Sequence, residues 1–194
     1  MELKRRYLFS FVLILNFLLI SSTVALLFLS KMINEKWIFS LYVSFLTISY
    51  HFIMRLCVGV SVDFAIKKFS VRFRSYIPVS RLEIKFYKII KVKDWKKNAI
   101  TAKPDSFDIK KVNFKELLHN MIQAELVHEI LIPLSFVPLL FIIPFGVPVV
   151  FIITSCAAAC VELKYVMIQR YNRPRVERLI ESCFIFKERL KIYG

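Results

Sequence analysis

The stretch YLFSFVLILNFLLISSTVALLFL, residues 7–29, carries no charged side chain and is longer than the about 20 residues a helix needs to cross a bilayer core. Hydrocarbon offers the backbone no water to bond, so such a run crosses as a helix with its peptide groups paired internally. Ser21-Ser22-Thr23-Val24-Ala25 has the small residues of a signal-peptide cleavage site. The apolar run continues past it to Leu29, too far for a typical signal-peptide core, and the segment reads as a retained anchor.

Working outward from this run, the rest of the chain has the same character. Of its 194 residues 57% are hydrophobic, with 19 Phe and only 3 Gly, whereas soluble domains are nearer half apolar. The predicted fold class is an all-α membrane protein of four transmembrane helices, at 7–29, 37–55, 126–145 and 148–168, forming one domain over 1–194. An amphipathic cytoplasmic segment, 61–123, lies between helices 2 and 3, and a basic cytoplasmic tail covers 169–194. Trp37 marks the outer end of the second run and Arg55 its inner end. His51, near that inner end, reads as a helix-packing or interfacial residue. Lys and Arg gather at 1–6, in the central segment and in the tail, while the outer loops are short and nearly neutral. This predicts a multi-pass protein of the cell membrane with both termini cytoplasmic.

The formal charge of +15 would suit nucleic acid, but the basic residues lie beside apolar runs rather than on a soluble face, which argues against that partner. Anionic lipid headgroups or a phosphate-bearing cosubstrate fit better. Cys57, Cys156, Cys160 and Cys183 lack the paired spacing of a zinc site and read as reduced thiols without a disulfide.

In the central segment Leu82, Phe86, Ile89 and Ile90 recur at helical spacing among lysines, as in a helix lying on an anionic membrane surface. Phe69, Val71 and Phe73 alternate instead, predicting extended or irregular chain, and Lys103-Pro104-Asp105-Ser106 predicts an exposed turn. Asn113, with Glu116 three residues on, is close to a capping box and starts a helix expected to run on into 130–145, kinked by Pro133 and Pro138. Phe145-Gly146-Val147-Pro148 predicts a tight hairpin.

Two polar stretches interrupt this pattern. Glu125 and His128 are one helical turn apart, where a carboxylate can orient an imidazole and raise its basicity, the ordinary construction of a general base. A snorkelling interfacial pair is the competing reading. Glu116 with His119 repeats the spacing nine residues earlier, which on one helix puts the two pairs on opposite faces, so no metal is expected. Arg170-Tyr171-Asn172-Arg173-Pro174-Arg175 brings three guanidinium groups together as a site for carboxylate or phosphate, or as a simple positive anchor. Pro174 predicts a turn there.

Ala124-Glu125-Leu126-Val127-His128 and residues 166–175, separated by a membrane hairpin, resemble the two signatures of the glycosyl-4,4'-diaponeurosporenoate acyltransferase family. Residues 86–96 resemble its aromatic, lysine-rich segment. Gln123 and Glu129 stand where that family usually has Arg and Trp. The resemblance implies a small four-helix enzyme that transfers a fatty acyl group to a sugar hydroxyl of a glycosylated carotenoid, the last step of staphyloxanthin synthesis, or of a related glycolipid. It implies His128 and Glu125 as catalytic residues, and Arg170, Tyr171, Asn172, Arg173, Arg175 and Trp95 as substrate-binding. No cofactor is expected beyond an activated acyl donor such as acyl-CoA as cosubstrate. The alternative is a non-enzymatic polytopic assembly or transport subunit whose basic motifs are membrane anchors. A metal-dependent lipid oxidase is a third reading and needs both Glu-x-x-His pairs.

Overall fold

A computed structural model describes residues 2–33, 35–69, 77–95, 104–107 and 112–193. Among these there is no strand. The helices are α1 (Glu2–Ile33), α2 (Lys36–Phe69), α3 (Arg81–Ile89), α4 (Val92–Trp95), α5 (Phe114–Leu134), α6 (Ile142–Phe145) and α7 (Pro148–Tyr193), with single 3-10 turns at Pro104–Phe107 and Val137–Phe141. Four helical stretches, Ser10–Ile33, Lys36–Ile66, Phe114–Phe145 and Pro148–Ile185, are long and apolar enough to cross a membrane. The chain is accordingly an all-α, multi-pass membrane protein. Its large apolar side chains point outward, with Phe17 70% and Ile143 91% exposed, a surface suited to lipid rather than water.

The chain divides into two compact units. The first comprises residues 1–64 and 129–163. Its core is Tyr42, Val43 and Phe151, around which Phe39 and Phe145 close an aromatic cluster with ring centroids 6.1–6.4 Å apart. The hydroxyls of Thr23 and Ser49 meet at 3.1 Å and tie α1 to α2 where both are buried. Pro133 and Pro138 do more than kink the third span. Helix α5 stops at Leu134, and the chain passes through the 3-10 turn into α6. A proline ring cannot donate to the preceding turn, so two of them five residues apart break the helical ladder. The hairpin forms as expected: Gly146 takes a left-handed φ of 65°, its N–H bonds Ile142 O at 2.8 Å, and Pro148 starts α7.

The second unit comprises residues 65–128 and 164–194. Asn113 caps α5, its Oδ1 accepting from the Lys115 N–H at 2.7 Å. In the turn at Pro104–Phe107 the last two residues are partly buried: Ser106 O accepts from Asn120 Nδ2 at 2.9 Å and Phe107 packs on the core formed by Leu117, Met121 and Val176. A second core joins Tyr87, Val92, Ile168 and Tyr171. Leu82, Phe86 and Ile89, the apolar stripe of α3, stay exposed, while Tyr87 fixes the helix from its other side. Phe69 is the last residue of α2. Val71, Arg72, Phe73, Arg74, Lys96, Lys97 and Lys103 lie outside the described residues.

The turn expected at Pro174 is absent. Helix α7 runs through it without interruption for 46 residues, about 69 Å at 1.5 Å per residue, enough to cross a bilayer and continue well beyond it. An interior proline costs about 3 kcal/mol of helix propensity. Here Tyr171, Arg173 and Val176 are all buried, Tyr171 in the core with Tyr87 and Val176 in the core with Leu117, and that packing holds the register. Asn172 Nδ2 also bonds Ile168 O at 2.7 Å, and Arg178 Nε bonds Pro174 O at 3.1 Å.

Candidate functional site

The second unit is organised on Glu125, whose side chain is fully buried on α5. A carboxylate in such a place needs cations close by, because desolvating it unpaired costs several kcal/mol. Two arginines from α7 supply them. Arg170 Nη1 donates to Glu125 Oε1 at 2.9 Å, and Arg173 Nη1 lies 3.4 Å from Oε2. Arg170 is shared: its Nε donates to Glu83 Oε1 at 2.5 Å and its Nη2 to Oε2 at 3.1 Å, a bidentate clasp on α3. Arg173, 1% exposed, also donates through Nη2 to Ile77 O, and its Nε lies 3.7 Å from the exposed carboxylate of Glu177. Two guanidinium groups thus face three carboxylates, and the network ties α3, α5 and α7 together.

Glu83 is held to this network from its own side as well. Ser80 caps α3 in a reciprocal capping box, its Oγ accepting from Glu83 N–H at 3.1 Å while Glu83 accepts from Ser80 N–H. The Tyr87 hydroxyl also donates to Glu83. The hydrogen bonds from Arg170 hold the Glu83 carboxyl down at about 2 against an opposing effect of burial, with Tyr87 adding to the depression. Burial and the adjacent carboxylate push the Tyr87 phenol up. A carboxylate with a depressed folded-state pKa stabilises the fold above its unfolded value, and the gain disappears as the pH falls through the folded value. The stability difference between the wild-type chain and Glu83→Gln should therefore be constant above about pH 5 and shrink between about pH 4.3 and about pH 2, as read by thermal unfolding at each pH.

The imidazole of His128 stacks on the Tyr165 ring, centroids 4.8 Å apart and planes at 11°, so its orientation is fixed by α7 as well as by its own helix. It is half-buried, one turn beyond Glu125. Of the other expected site residues, Tyr171 is buried against Tyr87, and Arg175 lies over the Tyr171 ring at 4.4 Å and donates to its hydroxyl at 2.7 Å. Trp95 packs on the same aromatic core. Asn172 spends its amide on the α7 backbone. The structure thus brings Glu125, Arg170 and Arg173 into one network, with Tyr171, Arg175 and Trp95 in the adjoining aromatic cluster. The carboxylate expected to orient His128 is also the counter-ion of Arg170 and Arg173, so these two arginines meet protein carboxylates.

Glu83 was missed by the sequence reading, although Ser80-Arg81-Leu82-Glu83 spells the capping-box pattern that locates it. A model of the glycosyl-4,4'-diaponeurosporenoate acyltransferase family matches residues 72–182, more than half of the chain and a range that includes every residue of this site. Comparisons with curated proteins and with solved structures returned no match.

Proposed function

Because the chain belongs to the glycosyl-4,4'-diaponeurosporenoate acyltransferase family and is therefore an acyltransferase, we propose that it esterifies a sugar hydroxyl of a membrane-held glycosylated carotenoid, or of a related glycolipid, with a fatty acyl group from an activated donor such as acyl-CoA. The observation that carries this reading within the site is His128, a half-buried imidazole held flat against Tyr165 and one turn from the buried Glu125 network.

In the proposed reaction the His128 imidazole takes the proton of the sugar hydroxyl as its oxygen attacks the acyl carbonyl. The carbon–sulfur bond of a thioester donor then breaks, and the imidazolium returns the proton to the departing thiolate. Glu125 acts as a positioning residue: pinned by Arg170 and Arg173, it fixes the stretch of α5 that carries His128. With Arg170 and Arg173 engaged by carboxylates, the donor's phosphates fall to the exposed Arg175, which Tyr171 orients. Trp95 and the exposed stripe of Leu82, Phe86 and Ile89 would lie at the cytoplasmic headgroup layer, with Lys85 and Lys88 beside anionic lipid.

The test is a mass-spectrometric pigment and lipid profile of membranes containing the chain, supplied with glycosylated diaponeurosporenoate and acyl-CoA. The expected result is an acyl-sized mass gain on the glycoside, absent without the chain. A gain on another glycolipid would replace the carotenoid acceptor. No gain on any hydroxyl-bearing lipid, with the protein present and folded, would favour the non-enzymatic subunit.

A further inference from the structure

The first unit contains a small cavity, with four polar side chains in its lining, that the site above does not use. Helix α2 contributes His51 and Arg55, four residues apart and so on one face; the end of α5 contributes Leu131 and Leu134, with Ser135 just past it; and α7 contributes Glu162. Arg55 Nε donates to Glu162 Oε1 at 2.5 Å, with the Glu162 side chain only 2% exposed. Ser135 Oγ gives its proton to Leu131 O at 2.8 Å, which leaves its oxygen able only to accept. His51 is 8% exposed, and its Nε2 has no hydrogen-bond partner among the described residues. The space is about 10 Å³, about the smallest that admits one water-sized group, and it is partly open beside Arg55, whose side chain is 34% exposed.

Ionisable groups buried in membrane helices are costly and usually face a cavity or a partner. A histidine nitrogen left bare beside an ion pair, at a cavity large enough for one oxygen atom, has the chemistry of a hydroxyl site. The imidazole can give one hydrogen bond to a hydroxyl oxygen, and the carboxylate or the serine oxygen can accept its single proton. We infer that this cavity binds one hydroxyl group of the sugar acceptor, with His51 Nε2 as its hydrogen-bond partner. The inference rests on the proposed acceptor class. A water molecule can make the same hydrogen bonds, and the experiment separates the two.

The full chain is placed in lipid nanodiscs with isotope-labelled histidine, whose three imidazole signals are assigned with His51→Gln, His119→Gln and His128→Ala. Octyl glucoside is titrated below its micelle concentration, with an amine oxide of equal chain length as the control. The expected result is a saturable shift of the His51 nitrogen signal with the glucoside alone, retained in His128→Ala. In the transfer assay His51→Phe, which fills the cavity, should raise the KM for the glycoside about tenfold with the donor KM unchanged, the size expected for losing one hydrogen bond. If the His51 signal responds equally to both additives, or to neither, the cavity holds only water and the inference falls, even where acyl transfer is observed. A glucoside-specific shift in a chain that transfers no acyl group would keep the site and remove the proposed reaction.

Discussion

Replacing Glu125 by leucine lowers the unfolding free energy by about 3–5 kcal/mol, the cost of leaving a buried charge without its partner. The asymmetry between its two arginines gives the expectation its detail. Arg170 loses one carboxylate and keeps the bidentate clasp of Glu83. Arg173 loses the carboxylate 3.4 Å from its Nη1, and its side chain is 2% exposed against 11% for Arg170, so its guanidinium is the more desolvated of the two. Most of the loss therefore belongs to Arg173, and the double replacement Glu125→Leu with Arg173→Met should recover most of it, because removing both members of a buried pair is far cheaper than removing one. Denaturant or thermal unfolding of the purified chain in one fixed detergent reads all three. A double variant no more stable than Glu125→Leu alone would show that the pair does not carry the cost. A Glu125→Leu chain as stable as wild type would show that the network does not hold the unit together.

The same network shows where sequence reasoning stops. The four long apolar stretches are legible because hydrocarbon demands helices of a minimum length, a constraint that acts on composition alone. The Asn113 cap and the Gly146 hairpin are legible because each is a local rule acting within a few residues. Glu125 and the arginines were found as unusual residue types at the edges of apolar runs. Their pairing was not found, because Arg170 and Glu83 are 87 positions apart and nothing in the sequence fixes which carboxylate a guanidinium meets. Pro174 failed for the opposite reason. Its local rule is overridden by the burial of Tyr171, Arg173 and Val176. His51 read as ordinary helix packing, since only the folded chain places Arg55, Ser135 and Glu162 around one cavity.

Removing the imidazole of His128 should lower kcat by about 10²–10⁴-fold while the chain stays folded, if His128 is the general base. The separation of rate from stability follows from its surroundings. His128 is half-buried and its contact with Tyr165 is one face-to-face stack, worth about 0.5–1.5 kcal/mol, so His128→Ala costs far less stability than Glu125→Leu and far more rate than that stability loss explains. Tyr165→Leu separates the two roles of the ring. It removes the stack but leaves the imidazole, so the base is present and poorly aimed, and kcat should fall by less than in His128→Ala. Truncation to alanine also opens a space beside Tyr165 of about the size of the lost ring. Added imidazole should enter it and restore part of the rate in His128→Ala, in a saturable way and without effect on the Glu125→Leu chain, whose base is intact and whose defect is structural. A His128→Ala chain that keeps acyl transfer within a few-fold of wild type would move the base elsewhere. His51, buried beside the Arg55–Glu162 ion pair, would then be the next residue to test.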